Sequence, residues 1–264
     1  MTEIIANSHF IDQNMISSVI LYKNEKESLE RCLNSLTWCN DIVIVHDARD
    51  SHPDPVVNRE GVTIVRRLLD DDFSAQRNFG MEKAKHDWVL FMDADEELSR
   101  ELMDILKDFT PDAQLSAYAV PRIDIFWNKR ILHGEVGTAA RQGVLRLVNR
   151  KQGTWKGTVH ETFIPVGSTG KLEHSIFHYP HQTIGELLQS VNFYSSLRAR
   201  EIVNRSKRRL FVEMLLYPPA KFIYTYFLKL GVLDGTAGFV YSFMMSFHSF
   251  LVRAKAITKT YDTI

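Results

Sequence analysis

Phe91-Met92-Asp93-Ala94-Asp95-Glu96 places two aspartates one residue apart, where an apolar run gives way to polar sequence. Oxygen ligands spaced this way suit a hard divalent cation, Mg2+ or Mn2+, which keeps coordination positions for the oxygens of a diphosphate. A cation bridging a diphosphate neutralises the charge that develops as the diphosphate leaves. An isolated Asp-x-Asp pair is a weak signal, because a solvated acidic loop looks the same. Position gives it weight here. Trp88 to Met92 reads as a buried strand, with the pair at its carboxyl end. Asn24 and Glu25 follow a first apolar run, Ile16 to Tyr22, and Asp47 closes a second that begins at Asp41.

Those runs belong to an alternating pattern. Between the first two lies a helix with Leu29, Cys32, Leu33 and Leu36 on one stripe. Val62 to Val65 reads as a short third strand, and Ser74 as the cap of a helix running through Ala84. After the fourth strand, Ser99 caps a helix with Leu102, Ile105, Leu106 and Phe109 on one face. Apolar strands separated by amphipathic helices predict an α/β fold with a mostly parallel, Rossmann-like sheet flanked by helices. Such sheets bind ligands beyond the carboxyl ends of their strands, where these polar residues gather. From Ala117 to about Pro180 shorter runs predict an irregular β region beside the main sheet. Thr183 and Glu186 then form a capping box before a helix carrying Ile184, Leu187, Leu188 and Val191.

The C-terminal part differs in character. Between Ser196 and Gly231 stand eight basic residues (Arg198, Arg200, Arg205, Lys207, Arg208, Arg209, Lys221, Lys229) against two acidic ones, Glu201 and Glu213, interleaved with aromatics. Gly235 to Val252 has no formal charge with His248 neutral and is rich in Phe and Met, though Gly, Ser and His dilute it. The division expected is a catalytic domain over 1–195 and a basic, aromatic helical tail over 196–264. For 235–252 the preferred reading is a helix lying in a membrane interface, ahead of core packing or a true span.

With 32 basic and 32 acidic residues, net charge alone points to no polyanionic partner. At 45% hydrophobic and 24% charged, the 264-residue chain is long enough and apolar enough for a sizeable core. Cys32 and Cys39 stand in no Cys-x-x-Cys or Cys/His cluster, so free thiols are expected. Residues 1–14 carry no basic stretch followed by an apolar one, so no signal peptide is expected and a cytoplasmic location follows.

Ser74-Ala75-Gln76-Arg77-Asn78-Phe79-Gly80 and the run from Asp87 to Glu96 together resemble the inverting glycosyltransferases of family 2. Asn24-Glu25 resembles the start of that family's pattern, and Trp155-Lys156-Gly157-Thr158-Val159-His160-Glu161 its acceptor-side block, all in family order over about residues 15–180. The resemblance implies the GT-A nucleotide-binding fold. Within the family, His178 to Thr183 and Leu233-Asp234-Gly235 are most similar to lipopolysaccharide core glucosyltransferases. This implies β-glucosyl transfer from UDP-glucose to an inner-core heptose, at the inner face of the cytoplasmic membrane. The family's usual Asp-Ser-Gly-Ser-x-Asp turn after strand two is replaced by Asp47-Ala48-Arg49-Asp50-Ser51-His52-Pro53, which lacks the small residues that let the backbone pass close to the base.

The resemblance implies roles residue by residue. Asp93 and Asp95 hold the metal and diphosphate, Asp95 most directly. Asp47 and Glu25 accept hydrogen bonds from base and ribose, and Arg77 faces the nucleotide. Glu161 is the general base for the acceptor hydroxyl. His160 assists the diphosphate or metal, or is a hydrogen-bonded core histidine. Trp155 is a platform for a sugar ring or a buried core residue, and Arg146 approaches the phosphates. Arg122, Asp124 and Trp127 line the acceptor side or pack in a strand. A basic-aromatic tail also suits nucleic acid, but the apolar segment after it favours an anionic, lipid-linked acceptor and a membrane surface.

Two other classes compete. A phosphohydrolase of the haloacid dehalogenase type also follows a strand with Asp-x-Asp, but Glu97 stands where that motif has Thr or Val, and its motif belongs at the first strand. A non-catalytic protein that binds a nucleotide sugar or docks to membrane would bind donor without releasing UDP to an acceptor. A processive polysaccharide synthase is disfavoured by the lack of a Gln-x-x-Arg-Trp motif after the acceptor region and of a set of spans.

Overall fold

The computed structural model describes residues 15–23, 26–49, 57–70, 72–157, 161–180 and 183–259. In chain order the elements are β1 (Ile16–Tyr22), α1 (Lys26–Asn34), β2 (Ile42–Asp47), β3 (Val62–Arg67), α2 (Phe73–Lys83), β4 (Trp88–Asp93), β5 (Glu96–Leu98), α3 (Arg100–Lys107) and β6 (Leu115–Val120). There follow β7 (Arg122–Phe126), β8 (Lys129–Ile131), α4 (Gly137–Gln142), β9 (Val144–Asn149), β10 (Gly153–Lys156), β11 (Thr162–Pro165), β12 (Ser168–Lys171) and β13 (Ile176–His178). The chain closes with α5 (Ile184–Ile202), α6 (Lys207–Ile223), a π turn over Tyr224–Leu228, a 3-10 turn over Gly231–Asp234 and α7 (Gly235–Thr258).

These elements form two compact units, residues 1–119 with 145–174, and 120–144 with 175–264. The division differs from the expected break at 195. Residues 120–144 and α5 group with the tail, because α5 and α7 pack along each other and β7 pairs with β13.

The first unit is built on a seven-stranded sheet of order β12-β6-β9-β4-β1-β2-β3. β4, β1, β2 and β3 run parallel, and β9 lies antiparallel to β4. β1 and β2 are covered on both faces, so they read as unbroken apolar runs rather than alternating ones. Of the region over 117–180 expected beside the main sheet, β6, β9 and β12 instead extend that sheet, while β7, β8, β10, β11 and β13 form smaller sheets. At the amino ends of the strands Asp41 is buried and serves structure. It accepts hydrogen bonds from Ser17 Oγ (2.6 Å) and the Lys85 amide (2.8 Å), which ties β1 to the entry of β4.

Helix α2 starts two residues earlier than expected. Asp72, not Ser74, is the cap: its Oδ1 accepts from the Ala75 amide (2.9 Å) and from Ser74 Oγ (2.7 Å). Asp72 wins because its carboxylate reaches both donors, and those bonds hold its pKa below the usual carboxylate value. Gly80 lets α2 ride close to the sheet, since a Cβ there would sit 2.4 Å from Val19 Cγ1. Ser99 caps α3 and Thr183 caps α5 as expected.

In the second unit β13, β7 and β8 pair side by side, and α5 and α6 both pack on α7. α7 buries Ala237, Met244, Val252 and Ala256. Residues 235–252 are therefore part of a helix that packs one face on the protein and exposes Phe239, Phe243 and Phe250. Among the described residues no single helix is long and apolar enough to cross a membrane, and Lys207–Leu228 meets Gly231–Thr258 at a 73° bend.

Candidate active site

The tip of β4 is organised by alternating carboxylates and guanidinium groups. Glu96, fully buried, turns back so that its Oε2 accepts the Asp93 amide at 2.9 Å, closing the Asp93-Ala94-Asp95-Glu96 turn. Arg146, on the neighbouring strand β9, donates through Nη2 to Asp93 Oδ2 (2.7 Å) and to Glu96 Oε1 (2.5 Å). Burial by itself would lower the pKa of Arg146, but the charges of Asp93 and Glu96 outweigh it and raise the pKa above its ordinary value. Arg146 thus stays charged inside the protein and holds the turn from behind.

Arg77 approaches the same aspartate from α2. Its Nη2 donates to Asp93 Oδ1 and its Nε to Glu161 Oε1, both at 2.9 Å. The guanidinium lies 4.9 Å from the centroid of the Trp155 ring and 5.7 Å from that of Phe91. Arg77 is only 4% exposed, and its Nη1 is buried with no partner among the described residues. Trp155 is fixed in turn by Phe91 and Phe163, with ring centroids 4.9 and 5.7 Å away. Of the two roles expected for Trp155, the structure has the buried core residue, lying under Arg77. Arg146, expected to approach the phosphates, reaches Asp93 and Glu96.

Glu161 reaches Arg77 through the connection between β10 and β11. These strands pair antiparallel with Trp155 opposite Phe163 and Lys156 opposite Thr162. Gly157 opens the connection at φ 98°, a conformation that side-chain-bearing residues rarely adopt. Asn78, next to Arg77 on α2, anchors β10. Its Oδ1 accepts from the Trp155 amide (3.0 Å) and from Thr154 Oγ1 (3.2 Å), and its Nδ2 donates to the Trp155 carbonyl (3.0 Å). Asn78 and Glu96 carry weight that sequence reasoning did not assign them, although both stand inside motifs it quoted.

The other expected residues fall into three groups. Asp95 is half-buried on the β4–β5 turn beside Asp93. Asp47 ends β2, two strands from β4 in the sheet and two residues beyond the level of Asp93. By strand geometry the two lie about 12 Å apart along one edge. Asp47 Oδ1 accepts the Arg49 and Leu69 amides at 3.1 Å each, which ties the end of β2 to the chain after β3. Arg122, Asp124 and Trp127 belong to the second unit, where buried Asp124 pairs with His178 Nδ1 at 2.8 Å. Glu25 and His160 lie outside the described residues, as do Asn24 and residues 50–53.

For a cation, the donor set is narrow. Each oxygen of Asp93 also accepts from an arginine, Oδ1 from Arg77 and Oδ2 from Arg146. Among the described residues no group of three His, Cys, Asp or Glu is placed to hold a metal. Asp95 with substrate phosphate oxygens still fits Mg2+, which binds through one or two carboxylates plus phosphates and water. Cys32 and Cys39 are free and buried.

Residues 17–166 match the model of glycosyl transferase family 2. The chain belongs to that family. An uncharacterized glycosyltransferase of Rickettsia felis is 31% identical over 91% of this chain and 88% of its own length. The lipopolysaccharide core biosynthesis glycosyltransferase LpsC of Rhizobium meliloti is 26% identical over 91% of each chain. A solved structure of S. aureus TarS, residues 1–349, covers 92% of this chain and 80% of its own at 11% identity, with a TM-score of 0.42. This family 2 glycosyltransferase has the α/β, GT-A architecture that its motifs imply, with helices at the C-terminal end.

Proposed function

We propose that the enzyme transfers a single hexose, glucose from UDP-glucose, to a lipid-linked glycan such as the inner core of lipopolysaccharide, with inversion. The ion-pair chain from Glu161 through Arg77 to Asp93 carries this reading, because it joins the acceptor-side carboxylate to the strand tip where a diphosphate belongs. The likeness to LpsC, whose name states lipopolysaccharide core biosynthesis, supports the acceptor class.

A nucleoside diphosphate laid across the carboxyl ends of the strands extends from Asp47, beside base and ribose, to the β4 tip. Glu25 assists at the base or ribose. Asp95, with His160 assisting, would hold Mg2+ or Mn2+, which when bound neutralises the departing diphosphate. Asp93 keeps Arg77 and Arg146 at that site, and the unpartnered Nη1 of Arg77 is a donor for a phosphate oxygen. Glu161 uses Oε1 for Arg77, which leaves Oε2 to accept the proton of the acceptor hydroxyl. The hydroxyl oxygen bonds to the anomeric carbon as the carbon–phosphate oxygen bond breaks. That electron pair leaves on the nucleotide diphosphate, and attack from the opposite face inverts the carbon.

The test is UDP release over a panel of nucleotide sugars with truncated lipopolysaccharide acceptors. Asp95→Ala and Glu161→Gln are both expected to abolish turnover, with donor binding kept in Glu161→Gln. Full activity in the first removes the metal role of Asp95, and in the second the base. Donor binding without UDP release to any acceptor would make the chain a binding protein.

A further inference from the structure

Helix α6 is built with its polarity reversed. Facing outward at helical spacing are Phe211, Leu215, Leu216 and Ile223, continued by Phe227 and Leu228 in the π turn, each between 53 and 70% exposed. The one acidic residue of the helix points inward, and its basic residues stand at the two ends. Glu213 is buried and held by Arg209 Nε (2.8 Å), Arg205 Nη1 (3.1 Å) and Arg253 Nε (3.6 Å). A helix on a water-facing surface puts its charges outward and its apolar residues inward. An uncharged stripe of this extent marks a surface that meets something other than water.

We propose that the outer face of α6 and the turn after it lie in the interface of an anionic bilayer. This deepens the reading of a lipid-linked acceptor and rests on it. Charge selects the occupant. Exposed Lys207 and Arg208 stand at one end of the stripe. At the other, Lys229 lines a cleft of about 430 Å3 with Tyr217, Tyr224 and Lys221, the last paired to Glu135 at 3.0 Å. The exposed face of α6 carries no acidic residue. A second copy meeting this stripe across a two-fold axis would set basic end against basic end, whereas anionic headgroups satisfy both. Depth follows from Pro218 and Pro219 inside α6, which deprive the Met214 and Leu215 carbonyls of their helical donors. Carbonyls in that state need water or headgroups nearby, so the helix lies along the surface and does not cross.

The full chain is mixed with vesicles of phosphatidylcholine, with and without phosphatidylglycerol and with no glycan acceptor present, and sedimented. The wild type is expected to partition onto the anionic vesicles. The triple variant Phe211→Ser, Leu216→Ser, Leu228→Ser loses about tenfold or more in partition coefficient at any salt, because the apolar contribution is gone. Lys207→Glu with Arg208→Glu loses binding only to the anionic vesicles, and high salt reproduces that loss. Leu216→Trp shifts to the blue on binding and is quenched by brominated acyl chains. UDP release on a delipidated, soluble acceptor stays at the wild-type rate in the triple variant, which also shows that it folds. The proposal is overturned by wild type left in the supernatant, by a triple variant that binds like wild type, or by a wild-type dimer that the triple variant converts to monomer. Vesicle binding without UDP release would sink the transfer reading alone, and UDP release without vesicle binding would sink this one alone.

Discussion

Arg77→Met tests the centre of the site, because Met keeps the reach of the side chain and removes its charge. Two charge-assisted hydrogen bonds at 2.9 Å disappear, and Glu161 loses its arginine. Breaking a buried ion pair from one side costs about 3–5 kcal/mol. Asp93 and Glu161 are 29 and 15% exposed, so water repays part of that, and Asp93 keeps Arg146 at 2.7 Å. Met also packs on Trp155 and Phe91, where the guanidinium now lies. The net loss is about 2–3 kcal/mol, a fall in Tm of about 4–12 °C for a domain of roughly 150 residues.

The assay is thermal unfolding followed by circular dichroism, with Arg77→Met, Glu161→Gln and the double variant measured together. Removing both partners relieves the stranded carboxylate, so the double variant is expected to be more stable than the sum of the singles by about 1–2 kcal/mol. In the UDP-release assay, kcat/KM of Arg77→Met falls by about 100-fold or more, as Glu161 and Asp93 are no longer held to one guanidinium. A Tm within about 1 °C of wild type, with additive effects in the cycle, would refute the ion-pair chain.

Three further outcomes follow from neighbouring contacts. Asn78→Ala leaves both backbone groups of Trp155 without their side-chain partner, so it should cost about 2 kcal/mol and lower kcat more than it raises KM for the donor; an unchanged kcat would detach Asn78 from the placement of Glu161. Gly80→Ala pushes a methyl to 2.4 Å from Val19 Cγ1 and 2.9 Å from Val45 Cγ2, and should lower stability in urea by about 1–2 kcal/mol despite better helix propensity; a more stable variant would mean α2 does not ride so close. Cys39 has its thiol pKa pushed up to about 11, chiefly by burial, and the still more deeply buried Cys32 is also raised. Both stay protonated at pH 8 and should react with a chromogenic disulfide only after unfolding, with fast labelling of the native chain as the contrary result.

The strand tips were legible because each central strand is buried on both faces and carries an unbroken apolar run, so its end is visible as the first carboxylate. β6, β9 and β12 were not recognised as part of that sheet, because they join from the opposite side after long excursions and their short runs look the same in a separate layer. Contacts across the chain were hidden for the same reason. Nothing local to Asn78 announces Trp155, 77 residues away, and nothing local to Arg146 announces Asp93, 53 residues away. A tryptophan in a glycan enzyme reads as a platform until its neighbours are known, and here they are Phe91, Phe163 and a guanidinium.

The C-terminal helices show why the outward apolar stripe of α6 is hidden in the sequence. Hydropathy read along a chain sums side chains without their directions. Residues 235–252 carry no formal charge, so the sum points there, yet α7 turns Ala237, Met244 and Val252 into the protein. Residues 207–223 hold four basic side chains and one acidic one, so the sum points away from α6. Three of the basic residues sit in its first turn, and Glu213 is folded inward beneath Arg205, Arg209 and Arg253. What remains outward over the middle of the helix is Phe211, Val212, Leu215 and Leu216, all more than half exposed. Which apolar residues stay outward is thus decided by where the few charges find partners, and for Glu213 of α6 these are Arg205, Arg209 and Arg253.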